Sequence, residues 1–299
     1  MEYKLGLIGY PVGHSRSPFI HSKLAELKGI DLSYELLLTP PQELAKRIKD
    51  LFEEGFTGFN VTVPHKINVI PLIGTISQDA ASVNAVNTCL RTDTGFNGFN
   101  TDISGFKRSL SANDIDVSGK DCVVLGAGGA ARSLVYSLIT LGARNIYIIN
   151  RSRDNALKLI DDLKRSSDVS HIMAVTEEEL LRSIRKNGAL EIAGNGHGNT
   201  ASEISGNGRF LGFQATSAEL NSYESVVKDP ALFDLFDVSY DIVAVKEPTP
   251  FIRQSRERGI RAYNGFDMLY YQAEAAFEIW TGLKVSKEEA LIVREELKS

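Results

Sequence analysis

The stretch Val123-Val124-Leu125-Gly126-Ala127-Gly128-Gly129-Ala130-Ala131-Arg132 constrains this chain more than any other. An apolar strand runs into a glycine-rich turn, and the turn runs into a helix. The spacing is Gly126-x-Gly128-x-x-Ala131. In a dinucleotide-binding unit the first glycine makes the tight turn, the second lets the backbone approach a pyrophosphate, and the third small residue lets helix and strand pack closely. The free N–H groups and positive dipole end of such a helix favour phosphate. Many strand-to-helix turns contain glycine, so the flanks matter. Downstream, Leu134, Leu138 and Leu141 share one helix face, Gly142 stands at the helix end, and a second strand, Ile146-Tyr147-Ile148-Ile149-Asn150, follows. The pattern predicts an α/β chain with a Rossmann-type domain. Gly126, Ala127, Gly128, Gly129 and Ala130 would surround the cofactor phosphates.

The end of that second strand separates the two nicotinamide cofactors. An Asp or Glu there holds a ribose 2′-hydroxyl and favours NAD. This chain has Asn150-Arg151-Ser152-Arg153. Two guanidiniums and a hydroxyl suit a 2′-phosphate, because Arg makes forked, charge-assisted bonds to phosphate oxygens. The expectation is NADP; the alternative is a solvated loop in which Ser152 only caps a helix.

Composition narrows the remaining choices. The 299 residues suffice for two domains with cores of their own, and a net charge of −5 carries no electrostatic footprint for nucleic acid. Cys89 and Cys122 make neither a metal-ligand spacing nor a disulfide framework, and buried free thiols in a reducing compartment are expected. No apolar run nears the roughly 20 residues of a membrane span. Met1-Glu2-Tyr3-Lys4 leads straight into a strand without the features of a secretory leader. The expected setting is cytoplasmic.

Before the glycine-rich turn the chain alternates strands and helices. Leu5 to Gly9 reads as a strand, Ser17-Pro18 as a helix start with Ile20, Leu24 and Leu27 on one face, and Tyr34 to Leu38 as a second strand. Pro41 to Gly55 reads as a helix, and Gly58 to Val63 as a strand that ends at Pro64 and opens a short helix. Val86–Arg91 and Phe96–Asn100 read as a hairpin, and Thr101-Asp102 as the start of a helix running to about Asn113. Ser15, Ser17, Asn60, Thr62, Lys66, Asn87 and Asp102 therefore fall at element junctions. Most are neutral hydrogen-bonding groups, which suit a small polyhydroxylated ligand. No His, Cys and carboxylate run has metal-ligand spacing, and capping alone would account for Ser17 or Asp102 taken singly.

These segments resemble the shikimate dehydrogenase family. The matching runs are residues 9–18 (Gly-Tyr-Pro-Val-Gly-His-Ser-Arg-Ser-Pro), 60–66 (Asn-Val-Thr-Val-Pro-His-Lys), 85–88, 98–102, 126–132 and 150–152, with 264–269, Gln272 and 277–282 near the C-terminus. The resemblance spans almost the whole chain in the family's order. It implies a substrate-binding domain over residues 1–103, an NADP-binding Rossmann domain over 104–245, and C-terminal helices over 246–299 that return to the substrate domain. It implies reduction of 3-dehydroshikimate to shikimate in aromatic amino-acid synthesis, with Lys66 and Asp102 as the catalytic pair. Ser15, Ser17, Asn60, Thr62, Asn87, Tyr240 and Gln272 would hold substrate. Val238 and Gly265 would border the nicotinamide, and Asn150, Arg151 and Ser152 would hold the adenosine end. A quinate/shikimate or aminoshikimate dehydrogenase using NAD or NADP, and a non-catalytic shikimate-binding sensor, are the alternatives. Monomer and homodimer stay open.

The chain departs from the family's pattern in four places. Gln214-Ala215-Thr216-Ser217 stands where the family has Asn-Ala-Thr-Ser. The glycine-rich run Gly188–Gly212, with Asn-Gly steps at 195–196 and 207–208, reads as an insertion or hairpin. Asp241 to Glu247 lengthens the path between Tyr240 and Pro248. Asn155 stands where a further arginine is usual; either Arg153 substitutes for it or selectivity for the 2′-phosphate is weaker.

Overall fold

The computed structural model describes residues 2–185, 210–219 and 224–298. Two compact units divide the chain, one formed by Met1–Ser109 with Asp267–Ser299 and the other by Leu110–Phe266. The glycine-rich run over 188–209 lies outside the described residues.

Unit 1 opens with β1 (Tyr3–Gly9), α1 (Ser17–Lys28), β2 (Leu32–Leu38), α2 (Leu44–Glu53), β3 (Gly58–Val61), α3 (Gln78–Val83), β4 (Thr88–Arg91), β5 (Phe96–Phe99) and α4 (Asp102–Ala112). Its sheet has the order β2-β1-β3-β4-β5, with β1 parallel to β2 and β3, and β4 antiparallel to both its neighbours. The carboxyl ends of β1, β3 and β5 and the amino end of β4 therefore lie at one edge. β2 and β3 flank β1 on opposite sides, so a switch point falls between β1 and β3, where open α/β sheets bind ligands. Ile8, Ile48, Leu51, Phe56, Phe59 and Phe96 fill the core on one face of the sheet.

Three local expectations are corrected. The segment from Pro41 begins as a 3-10 turn, Pro41–Glu43, before the α-helix. No helix opens after Pro64: the chain turns, His65 N–H donating to Thr62 carbonyl, and reaches only a 3-10 turn at Ile70–Leu72. Pro71, with no N–H to give, would break an α-helix there. The N-cap of α1 is Arg16 rather than Ser17, and no side chain caps it.

Unit 2 is built from β6 (Asp121–Leu125), α5 (Gly129–Thr140), β7 (Asn145–Ile149), α6 (Arg153–Leu163), β8 (Ile172–Val175), α7 (Glu177–Arg185), β9 (Phe210–Gln214), β10 (Phe236–Asp241), α8 (Pro250–Glu257) and β11 (Arg261–Tyr263). All six strands are parallel, in the order β11-β10-β9-β6-β7-β8. In chain order this is 3-2-1-4-5-6, the doubly wound arrangement with its ligand crevice between the first and fourth strands, here β6 and β9. The inner strands read as near-continuous apolar runs because helices cover both faces. β11 hydrogen-bonds to β10, so α8 and β11 belong to this unit and the chain leaves it only at Asp267.

The chain then returns to unit 1 as α9 (Phe266–Thr281) and α10 (Lys287–Lys298). Trp280 anchors α9: its indole N–H donates to Cys89 carbonyl at 2.8 Å, and its ring covers Gly58, where a Cβ would lie 2.3 Å from the indole nitrogen. Among the described residues no helix is long and apolar enough to cross a membrane.

Candidate active site

The junction residues of unit 1 meet at one edge of the sheet. Lys66 Nζ lies 2.6 Å from Asp102 Oδ2, and the side chains are 14% and 6% exposed. The second carboxylate oxygen, Oδ1, accepts from Asn87 Nδ2 at 2.8 Å. Asn87 is fixed in turn, because its Oδ1 accepts the Thr101 backbone N–H at 2.8 Å. The Asp102 carboxylate is thus held at both oxygens and leaves little orientational freedom to the Lys66 ammonium. Lys66 is itself anchored through its carbonyl, which accepts from Val86 N–H at 2.8 Å.

Ser15 and Ser17 leave the end of β1 together. Ser15 Oγ accepts the Ser17 N–H at 3.2 Å and contacts Ser17 Oγ at 3.1 Å. Thr62 follows β3, with its N–H on Ile8 carbonyl. Gln272 reaches α4 because Gly105 has no side chain: a Cβ there would lie 2.8 Å from Gln272 N. Gln272 Nε2 donates to Leu269 carbonyl, which leaves its Oε1 as the presented group. Asn60 differs. Its Oδ1 accepts from Tyr34 O–H at 2.7 Å, while its Nδ2 donates to Asn87 carbonyl and Thr88 Oγ1. Asn60 is buried and committed to the scaffold beneath Asn87. His65 is likewise structural, its buried Nε2 donating to Thr39 carbonyl at 2.7 Å. Thr101 and Tyr34 join this network without being candidate site residues of the sequence: Thr101 stands beside Asp102 in the 98–102 run, but nothing local ties Tyr34 to Asn60.

In unit 2 the glycine-rich turn follows β6 at the switch point. Gly126 has φ +117°, and a Cβ there would meet Thr216 Cγ2 at 2.7 Å and Ala215 carbonyl at 3.2 Å. Gly128 is the N-cap of α5, with no side chain on the first N–H groups, and a Cβ there would enter open space. Such a bare cradle fits a pyrophosphate, and the donor set after β7 fits an adenosine phosphate. Arg132 is buried against Asp162, Nη1 to Oδ2 2.6 Å, and ties α5 to α6. Ser152 does cap α6, accepting from Asn155 N–H at 3.3 Å, and Asn150 Nδ2 donates to Ser152 carbonyl. Arg151 is exposed.

The departures from the family pattern have local explanations. Gln214 is fully buried at the end of β9, and its Oε1 accepts the Thr216 N–H, closing the turn that follows the strand. The longer 241–248 path is pinned at its root by Asp241: Oδ1 accepts from Val243 N–H at 2.9 Å and Oδ2 from Thr249 O–H at 2.6 Å. Gly265 lies against this path, donating to Val243 carbonyl. Val238 and Tyr240 sit within the inner strand β10, 1% and 0% exposed. The backbone at 241–243 and Gly265 are what the chain brings together after β10.

Burial pushes the Asp241 carboxyl up to about 7, helped by the nearby Glu219 carboxylate and opposed by its bonds to Thr249 and Val243. The folded pKa thus lies above the unfolded value of about 3.9. The folded state holds a proton between these limits that the unfolded state has lost. The stability contributed by this group is complete below about pH 4 and falls as pH rises to about 7, by roughly 4 kcal/mol. Asp241→Asn is expected to lose this slope. Unfolding midpoints of both proteins at pH 5 and pH 8 check it; parallel pH dependences would refute the buried-acid assignment.

Comparison with known proteins agrees with this geometry. The family profile for the shikimate dehydrogenase substrate binding domain matches residues 7–89, that for shikimate / quinate 5-dehydrogenase residues 109–187, and that for the shikimate 5'-dehydrogenase C-terminal domain residues 265–291. A shikimate dehydrogenase (NADP(+)) of Crocosphaera subtropica is 33% identical over 298 residues, covering 98% of this chain and 95% of its relative. That of Geobacter metallireducens is 35% identical, covering 94% and 91%. The chain belongs to the shikimate dehydrogenase family. Among solved members of the family, the Thermus thermophilus enzyme in complex with NADP(H) and shikimate has a TM-score of 0.78 at 28% identity, with 99% of each chain covered. Shikimate dehydrogenase 1 of Peptoclostridium difficile has a TM-score of 0.80 at 26% identity, covering 99% of this chain and 98% of its own.

Proposed function

We propose that this chain is an NADP-dependent oxidoreductase that interconverts 3-dehydroshikimate and shikimate, a reversible step of aromatic amino-acid biosynthesis. The observation that carries the site assignment is the pair formed at 2.6 Å by the half-buried Lys66 and the buried Asp102, at the sheet edge that also gathers Ser15, Ser17, Thr62 and Asn87. NADP, when bound, supplies or accepts the hydride. Every other task falls to the chain. As a ketone is reduced, negative charge grows on its oxygen. The Lys66 ammonium stabilises that charge and donates the proton, and takes it back in the oxidising direction. Asp102 fixes the ammonium and accepts from a substrate hydroxyl. Ser15, Ser17, Thr62, Asn87 and the Gln272 amide supply neutral donors and acceptors for the carboxylate and remaining hydroxyls. Asn60 supports Asn87 from below.

In unit 2, Gly126 to Ala130 would cradle the pyrophosphate, and Asn150, Arg151 and Ser152 would face the adenosine 2′-phosphate. Gly265 would border the nicotinamide end with residues 241–243. Cys89 and Cys122 are buried and unpaired, which suits a reducing, cytoplasmic setting.

Initial rates with shikimate or quinate, each with NADP or NAD, test the reading. Fast turnover with shikimate and NADP is expected. Equal turnover with quinate would replace the substrate assignment, and shikimate binding without turnover in any pairing would make the chain a sensor.

A further inference from the structure

The Arg151–Arg153 run holds two guanidiniums, but the structure commits one of them elsewhere. β7 and β8 are parallel neighbours, with Ile149 paired to Val175, so the segments that follow them leave the sheet side by side. Arg153 opens α6 and Glu179 lies in the first turn of α7. Arg153 Nη1 donates to both Glu179 oxygens, at 3.0 and 3.1 Å. Glu179 is fixed from its own side as well. Thr176 and Glu179 form a reciprocal capping box: Thr176 N–H donates to Glu179 Oε2 at 2.8 Å, and Glu179 N–H donates to Thr176 Oγ1 at 3.1 Å. Partial burial opposes ionisation of Glu179, yet the Thr176 N–H and the Arg153 guanidinium hold its carboxyl below the ordinary range. Position 155 carries a neutral asparagine, and the Ser152 hydroxyl already takes the Asn155 N–H. Arg151 is exposed and, among the described residues, makes no ion pair. It is the uncommitted cation of the run.

We propose that Glu179 is a specificity-determining residue that weakens the preference for NADP over NAD by holding Arg153 away from the 2′-phosphate. The inference rests on the assignment of Asn150, Arg151 and Ser152 to the adenosine end. A 2′-phosphate must compete with the Glu179 carboxylate for Arg153, and it is repelled by that carboxylate as well. A ribose 2′-hydroxyl meets no such penalty, since carboxylates near this strand end accept from it. Arg153 and Glu179 are 36% and 42% exposed, so solvent screens the pair and a dianion can contend for it.

Adenosine 2′,5′-bisphosphate and AMP, titrated calorimetrically into the full chain, read the 2′-phosphate site without turnover. Glu179→Gln keeps the capping box, which accepts Gln at this position, and removes the charge. It is expected to tighten bisphosphate binding on the order of 5- to 20-fold and to leave AMP within about twofold. Arg153→Gln added to Glu179→Gln is expected to cancel the gain. An unchanged bisphosphate-to-AMP ratio in Glu179→Gln, or a gain that survives loss of Arg153, overturns the proposal. Arg151→Gln in the otherwise unaltered chain separates the two levels. If it weakens the bisphosphate while Glu179→Gln does nothing, only the role of Glu179 falls. If it has no effect, the loop assignment falls and the proposal with it.

Discussion

Lys66→Met is expected to lower kcat by about 10²- to 10⁴-fold, the usual contribution of a positioned general acid–base group. The KM for shikimate should move only a few-fold. Among the described residues the Lys66 ammonium is the one cation paired with the Asp102 carboxylate, at 2.6 Å, and Asn87 supplies a neutral donor to its other oxygen. Methionine keeps the lysine side chain out to Cε and removes the proton that must be given or taken. It also leaves Asp102 at 6% exposure without its counter-ion, and an unpaired buried charge is costly. The thermal midpoint of unit 1 should therefore fall too, which separates this variant from a merely slow one. Shikimate binding measured by calorimetry distinguishes the cases. Retained binding with lost turnover supports the proton-carrier role, and retained turnover removes it.

The second large effect is expected at Gly265. A Cβ there would lie 1.9 Å from Ile242 carbonyl oxygen and 2.4 Å from its carbon, so Gly265→Ala must displace the backbone of 242–243. That backbone is pinned by Asp241 and by the Ile242 N–H on Gln214 carbonyl, and it cannot retreat cheaply. A loss of about 3 kcal/mol is expected, the upper end of ordinary overpacking. For a domain of this size this amounts to a midpoint about 6–12 °C lower. Gly128→Ala is the matched control. Its Cβ enters open space, so folding should be unchanged while NADP binding weakens as the methyl group occupies the pyrophosphate cradle. Calorimetry of unfolding and NADP titration of both variants check the pair. Equal stability in the two would contradict the close approach at Gly265.

Much of this architecture was legible in local sequence. The glycine spacing at 126–131 placed the β6 turn and α5, and the family resemblance implied the C-terminal helices to which α9, Phe266–Thr281, belongs. Ser15, Ser17, Thr62, Lys66, Asn87 and Asp102 could be assigned to one cluster because each follows or precedes a strand, and a shared sheet edge is where such junctions meet. What local patterns could not reveal depends on long-range partners. Asn60 resembles its polar neighbours, but Tyr34, 26 residues away, consumes its carbonyl. The place of Val238 and Tyr240 in an inner strand depends on β9 and β11, which pair on either side of the strand that carries them. The Thr176-x-x-Glu179 capping signature was readable, whereas the bond from Glu179 to Arg153 needs β7 and β8 side by side.

Hydride passes directly from the bound cofactor to 3-dehydroshikimate on this chain, and incubation with NADPH deuterated at the transferable C4 position, followed by mass spectrometry of the product, is the decisive experiment. Shikimate carrying one deuterium on the carbon that bore the ketone is expected. Unlabelled shikimate, or no shikimate at all from a folded, NADP-binding protein, would contradict it.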